Sequence, residues 1–149
     1  MEVEVGALLP SAALAVLDFC LGHWSVRRRD GGHAGTDLVE RVLDGYAILE
    51  HWRSAAGEEG KSLFYFDRSA YTWKQAWVVD GYVKEKRLVL AEPGRIRFEG
   101  LAYVDGAAFP DRTTLTALAD GEIGQLIQHS LDGGSTWTTS FDAIYSPLA

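Results

Sequence analysis

Short segments of alternating apolar and polar residues, separated by glycine-containing turns, constrain the fold of this 149-residue chain more than any other feature. Turn signals recur about every ten residues, and several are Asp-Gly pairs, among them Asp44-Gly45, Asp80-Gly81 and Asp105-Gly106. An Asp-Gly pair accepts the positive φ angles that a tight hairpin requires. A period of two between such turns predicts consecutive antiparallel strands.

Ten strands fit between these turns. They are predicted over residues 23–29, 36–43, 46–55, 61–67, 71–79, 82–91, 95–104, 112–119, 122–130 and 136–145. We expect an all-β, up-and-down antiparallel barrel of about ten strands, because closure removes exposed strand edges. A β-sandwich is the alternative.

One segment, Ser11–Cys20, has a helical composition. Ser11 would cap the first turn after Pro10, and Gly22 would release the chain into the first strand. The length suits a single domain over residues 1–149, with a helix at about 11–20 and a barrel at about 22–146.

Charge and composition exclude several function classes. The net charge of -7 argues against nucleic acid or a membrane surface as a partner. The single cysteine, Cys20, cannot form an internal disulfide, and its apolar neighbours predict a buried, inert thiol. The start Met-Glu-Val-Glu is not a secretory signal, and no apolar run reaches the ~18 residues of a membrane helix. A cytoplasmic location is expected, and the oligomeric state is left open.

The strand faces that are richest in aromatic residues also carry polar groups. Glu50 shares a face with Trp52, Gln75 with Trp77, and Gln125 with Ile127 and His129. An unpaired buried polar group costs about 1–3 kcal/mol, so these groups need partners. They either bond to one another in a filled interior or orient a small molecule in a cavity, and we favour the cavity.

The motif Gly22-His23-Trp24, at the start of the first strand, resembles the lipocalin signature of the calycin superfamily. The blocks "DFCLGHWSV", "AGTDLVERVLDGYAILEHW", "GKSLFYFD", "WKQAWV" and "SLDGGSTWTTSFDAIY" are similar to a bacterial lipocalin-like family of largely uncharacterised proteins. They extend from Asp18 to Tyr145 and differ from the family pattern at Cys20, Tyr46 and Phe64. The resemblance implies a barrel whose end Trp24 closes, with a ligand cavity, and it supplies no reaction.

The first functional hypothesis is a barrel that binds a small apolar or aromatic molecule. Trp24 and Trp137 would then pack at the closed end, whereas Trp52 and Trp77 would form the pocket wall. The predicted ligand-binding residues are Arg28, Trp52, Phe64, Gln75, Trp77, Gln125 and Ile127.

The second hypothesis is a cofactor-free enzyme of the cyclase or isomerase type, as in secondary metabolism. Glu50 and His129 would be its acid–base pair, since an apolar pocket raises the pKa of a carboxyl group. A third possibility is a filled barrel that acts through its surface. Whether the chain is an enzyme is left open by the sequence.

No metal or cofactor is predicted. The four histidines, His23, His33, His51 and His129, show no metal-ligand spacing. Related barrels that bind haem use one histidine, which would here be His129, but we prefer a hydrogen-bonded interior histidine.

Overall fold

The computed structural model describes residues 8–148, and its ten antiparallel strands form a closed barrel. Each strand pairs with the next along the chain, and the first pairs with the last to close the barrel. The strands are β1 (Gly22–Arg28), β2 (His33–Val42), β3 (Ala47–Ser54), β4 (Glu59–Asp67), β5 (Thr72–Val79), β6 (Tyr82–Glu92), β7 (Arg95–Val104), β8 (Ala107–Ala117), β9 (Ile123–His129) and β10 (Thr138–Pro147). The predicted fold class is confirmed. The predicted domain span of 1–149 includes residues 1–7 and 149, which lie outside the described residues.

Two strands begin at least three residues earlier than the sequence pattern predicts. β2 begins at His33 rather than at residue 36, and β8 begins at Ala107 rather than at residue 112. Pro110 indicates a strand boundary in the sequence, yet it stays within β8 opposite Leu101 of β7. Its carbonyl oxygen accepts a hydrogen bond from the backbone N–H of Ser130, at 2.9 Å, after the end of β9. A proline is therefore accommodated inside this ladder.

Two Asp-Gly pairs form the tight hairpin turns that the sequence predicts. Asp80 and Gly81 have φ angles of 47° and 81°, and they join β5 directly to β6. Asp105 and Gly106, at 49° and 80°, join β7 to β8 in the same way. Positive φ at both central residues is the geometry that matches the twist of paired strands.

The predicted short N-terminal helix is confirmed, but it is divided into two pieces and Ser11 does not cap it. Helix α1 spans Pro10–Leu14, and a separate 3-10 turn spans Asp18–Cys20. Proline occupies the first helical position, so the capping position falls on Leu9 and Ser11 makes no capping bond. The indole Nε1 of Trp73 donates to the carbonyl oxygen of Ala13 at 2.9 Å. This oxygen therefore bonds to the barrel wall, where a longer helix would use it for a backbone hydrogen bond.

The N-terminal segment closes one end of the barrel. Leu17 and Trp24 are buried there, and Trp24 Nε1 donates to the carbonyl oxygen of Cys20 at 3.0 Å. Gly22 has a φ of 145°, and a Cβ at this position would lie 3.4 Å from the Trp24 ring. The Gly-x-Trp motif therefore turns the chain into β1 while its tryptophan packs at the closed end, as expected.

Trp137 lies at the other end of the molecule and on its outside, contrary to the predicted packing at the closed end. A bulge between Thr139 and Phe141 shifts the register of β10 against β9. The extra residue puts Phe141 on the inner face and reverses the faces before it. Trp137 instead stacks on the outward-facing Arg112, whose Cζ lies 4.0 Å from the ring centroid.

Between residues 8 and 148, no helix combines the length and the apolar character that crossing a membrane requires.

Candidate functional site

Two adjoining cavities lie inside the described part of the barrel. The lower cavity, of about 40 Å³, lies against Leu17 and Cys20 at the closed end. The upper cavity has a volume of about 200 Å³. The residues that line both cavities are Glu50, Gln75, Thr113, Gln125 and Tyr145. These five residues form the floor of the upper cavity.

The upper cavity opens at the end of the barrel opposite α1. Along the inner face of β5, Trp73 is buried, whereas Gln75 and Trp77 are half-buried. On β10, Tyr145 is buried near the closed end and Phe141 is half-buried near the other end. Exposure therefore increases away from α1 on both strands, so solvent enters from that side.

The walls of the upper cavity are aromatic. Trp52 and Phe141 meet edge to face, with ring centroids 6.3 Å apart. The indole of Trp77 lies over Gly60 on the neighbouring strand, where an added Cβ would come within 2.4 Å of the ring. The missing side chain at Gly60 thus lets Trp77 lie against the wall. Ile127 completes the apolar lining.

A pair of carboxyl groups lies at the floor. Glu50 is paired with Val39 across β2 and β3, and Asp37 precedes Val39 by two residues on the same inner face. Asp37 is only 2% exposed, and its Oδ1 has no hydrogen-bond partner among the described residues. Burial raises the pKa of Asp37 well above its usual range, and the neighbouring Glu50 raises it further. Asp37 therefore keeps its proton at neutral pH.

The two glutamines of the floor also have protein partners. Gln75 Nε2 donates to Ser62 Oγ at 3.0 Å, and Gln125 Nε2 donates to the Tyr145 hydroxyl oxygen at 2.8 Å. Burial raises the pKa of Tyr145 well above its usual value, so this side chain stays a neutral phenol. The interior polar groups thus bond to one another, as one interpretation of the sequence has it, and a cavity remains above them, as the other has it.

Two lysines and one aspartate form an ionic cluster on the facing wall, in which Lys86 and Asp111 are buried and Lys84 is half-buried. Lys86 Nζ contacts Asp111 Oδ1 and donates to Thr113 Oγ1 at 2.6 Å. Lys84 Nζ lies 3.0 Å from the other carboxylate oxygen of Asp111. Burial lowers the pKa of Lys86 to about 8, although the charge of Asp111 opposes this effect.

Gly100 allows this cluster to form. It lies on β7 between β6 and β8, where it pairs with Lys86 on one side and Asp111 on the other. Because glycine has no side chain, nothing separates the ammonium from the carboxylate across the middle strand. A Cβ at Gly100 would lie 1.9 Å from the carbonyl oxygen of Glu85. A larger residue therefore cannot replace it without moving the strands.

The structure places most of the predicted ligand-binding residues around the cavities. Phe64 lines the lower cavity. The residues that line the upper cavity are Trp52, Gln75, Trp77, Gln125 and Ile127. Arg28 is exposed at the rim, with its Cζ 6.0 Å from the centroid of the Phe141 ring. Their predicted contact with a ligand stays a prediction.

The structure does not bring the predicted acid–base pair together in the cavities. Glu50 lines both cavities, but its partner is Asp37. His129 lies at the end of β9 between Asp111 and Thr138 and lines neither cavity. A role for His129 as a haem ligand gains no support from this position.

Sequence reasoning missed Asp37, Lys84, Lys86 and Asp111. Both faces of β6 carry charged residues, so alternation alone does not indicate that the lysines face inward. Gly100 is the available signal, because a glycine within a strand indicates close approach of neighbouring groups.

Cys20 is buried beside the lower cavity, as predicted. Burial raises the pKa of its thiol, and the nearby Glu50 and Asp37 raise it further, so the thiol is not a nucleophile at neutral pH. Within residues 8–148, no three histidine, cysteine, aspartate or glutamate side chains are grouped so as to hold a metal ion.

Neither a protein-family model nor a curated protein sequence matches this chain. The closed ten-stranded antiparallel barrel is compatible with the lipocalin-like fold that the sequence resembles. The geometry of the cavity therefore carries the functional argument.

Proposed function

We propose that this chain is a lipocalin-like protein that binds a small, largely apolar or aromatic molecule in the upper cavity. The observation that carries the proposal is a cavity of about 200 Å³ that has aromatic walls and a hydrogen-bonding floor and is open at one end. Small-molecule sites commonly combine apolar walls with a few polar groups that fix orientation.

The cavity volume limits the size of the ligand. An apolar cavity of roughly 150 Å³ binds benzene, so a single substituted aromatic ring suits the space available here. The ring would lie between Trp52 and Trp77, and its polar substituent would reach Gln75 or Gln125 at the floor. A molecule as large as haem does not fit.

The test is a titration with benzyl alcohol, followed by the intrinsic tryptophan fluorescence of the folded protein. Trp77→Ala removes one aromatic wall and should weaken binding by about ten-fold or more, since an aromatic contact of this kind contributes at least about 1.4 kcal/mol. Trp137→Ala, which removes an indole from the outer surface, is the matched control and should leave the affinity unchanged.

Saturable binding that is weakened by Trp77→Ala alone supports the proposal. Failure of the wild-type protein to bind, or equal effects of the two substitutions, contradicts it. A thermal melt of each variant separates loss of binding from loss of the fold. An unfolded Trp77→Ala variant would identify Trp77 as a core residue rather than a binding residue.

A second candidate function, an acid–base enzyme, is favoured by the Asp37–Glu50 pair. Asp37 keeps its proton beside Glu50, which lines the cavity, and two adjacent carboxyl groups suit a general acid or base. The probe reaction is exchange of the methyl hydrogens of acetophenone in deuterated water, measured by NMR. We expect wild-type protein to exceed the buffer rate and Glu50→Gln to lose this excess while still binding benzyl alcohol. Exchange at the buffer rate with wild-type protein would contradict this candidate.

A further inference from the structure

The amine of Lys86 is the most deeply buried basic group among the described ion pairs of the barrel. Its side chain is 3% exposed, compared with 27% for that of Lys84. Thr113 Oγ1 accepts a hydrogen bond from Lys86 Nζ at 2.6 Å, and Asp111 Oδ1 forms an ion pair with the same nitrogen. Lys86 also lines the upper cavity, so a ligand bound there can approach the lone pair of the neutral amine.

Burial is what favours the neutral amine at Lys86. Two ammonium groups, those of Lys84 and Lys86, share the single carboxylate of Asp111. Burial lowers the pKa of Lys86 to about 8, and the Lys84 charge also lowers it, although the charges of Asp111 and Glu50 oppose this change. About a tenth of the molecules then carry a neutral Lys86 at pH 7. Desolvation and a second cation are the conditions that make a lysine nucleophilic.

From this geometry we propose that Lys86 is a nucleophile that forms a Schiff base with a small aldehyde or ketone in the upper cavity. The inference deepens the proposed function, on which it rests, because it names a carbonyl compound as the class of ligand. The aromatic wall of Trp52 and Trp77 would hold the apolar part of this compound. The carbonyl carbon would then lie at the polar floor, within reach of Lys86.

The step balances without any further reactant. The lone pair of Nζ forms a bond to the carbonyl carbon, while the π pair moves to oxygen, which takes up the proton that nitrogen loses. The resulting carbinolamine expels its hydroxyl group with the second nitrogen-bound proton as one water molecule, and a carbon–nitrogen double bond remains. Asp111, already in contact with Nζ, is placed to relay these protons. The apolar walls limit hydrolysis of the product.

The experiment traps the Schiff base in the intact, folded chain. The protein is incubated with benzaldehyde and sodium cyanoborohydride, which reduces the imine to a stable benzylamine. Peptide mass spectrometry then locates each added benzyl group. We expect Lys86 to be labelled at least ten-fold faster than Lys61 and Lys74, which lie outside the cavity. The labelling rate should rise with pH and level off above about 8.

Competition and substitution complete the test. An excess of benzyl alcohol, which cannot form an imine, should protect Lys86 and leave Lys61 unaffected. Lys86→Arg keeps the positive charge but should eliminate the cavity label. Equal labelling of all lysines, or labelling of Lys84 in preference to Lys86, would overturn the inference. Where Lys86→Arg does not fold, the position of the label and its protection in wild-type protein decide the question.

The two proposals fail in different ways. If benzyl alcohol binds to wild-type protein and Lys86 is not labelled, the Schiff base is refuted and the binding function stands. If benzyl alcohol does not bind, the proposed function fails, whatever the labelling pattern.

Discussion

Replacing Asp37 by asparagine should remove a pH-dependent loss of stability. The unfolded chain releases the Asp37 proton near pH 3.9, whereas the folded protein retains it to a much higher pH. Between these values the folded state binds about one more proton than the unfolded state. The free energy of unfolding therefore falls as pH rises, by up to about 1.4 kcal/mol per pH unit. Asparagine keeps the shape and offers an N–H donor to Glu50, but it carries no titrating proton.

The expected change in the free energy of unfolding depends on the pH range that is compared. Between pH 5.5 and 7.5, the stability of Asp37→Asn relative to wild type should increase by about 2.7 kcal/mol. Urea unfolding followed by circular dichroism at three pH values measures this difference, and other titrating groups cancel because both proteins contain them. Lys86 changes its own contribution only above about pH 8, where loss of its proton in the folded state makes stability rise with pH.

Asp67→Asn is the matched control. The pKa of Asp67 is lowered, first by its hydrogen bond with Lys74, so this group is ionised in both states throughout the window. Its removal should leave the pH slope at the wild-type value. Parallel slopes for wild type and Asp37→Asn would refute a protonated Asp37, and with it the carboxyl pair at the cavity floor.

Two further predictions concern packing around the open end. Gly60→Ala places a Cβ against the Trp77 ring, so it should lower the free energy of unfolding by about 1–3 kcal/mol, as measured by urea unfolding. It should also weaken the binding of benzyl alcohol, as measured by fluorescence. Gly32→Ala, where the nearest atom lies 3.9 Å away, should do neither, and equal behaviour of the two would count against the packing described. Ser130→Ala removes a buried hydroxyl that donates to Asp132 Oδ1 at 2.7 Å and accepts from the Gly134 N–H at 2.8 Å. This substitution should lower the free energy of unfolding, measured with urea, by about 1–3 kcal/mol. A decrease no larger than that caused by Ser135→Ala, at an exposed position, would contradict this prediction.

The sequence predicts the barrel because local signals agree with the global fold. Asp-Gly turns fix the hairpins, and the aromatic residues of β3 and β5 identify the inner faces correctly. Glu50 and Gln75 are therefore found beside Trp52 and Trp77, as expected. In these strands, alternation and burial point to the same side of the sheet.

The inner residues of β2 are harder to predict. Leu38 and Val42 favour one face of this strand, yet Leu38 is exposed and the opposite face, with Asp37 and Val39, lies inside. The register across β2 and β3 decides this, since it pairs Val39 with Glu50. Pairing between strands is a property of the closed barrel and cannot be read from one segment.

The faces at the start of β10 and the lysine cluster could not be predicted from the sequence, for similar reasons. One extra residue near Ser140 reverses the faces of Trp137 and Thr139, and nothing in the local pattern marks the bulge. Lys86 and Asp111 meet across an intervening strand, so only the three-stranded arrangement over Gly100 brings them together.

A crystal structure of the protein soaked with para-bromophenol tests the binding cavity most directly. The bromine atom gives an anomalous signal that locates the ring without ambiguity. We predict a single bromine position inside the barrel between Trp52 and Trp77, with the phenol hydroxyl at the polar floor, and its loss in crystals of Trp77→Ala. An interior without a bromine signal, with its side chains packed through the space described, would contradict the account.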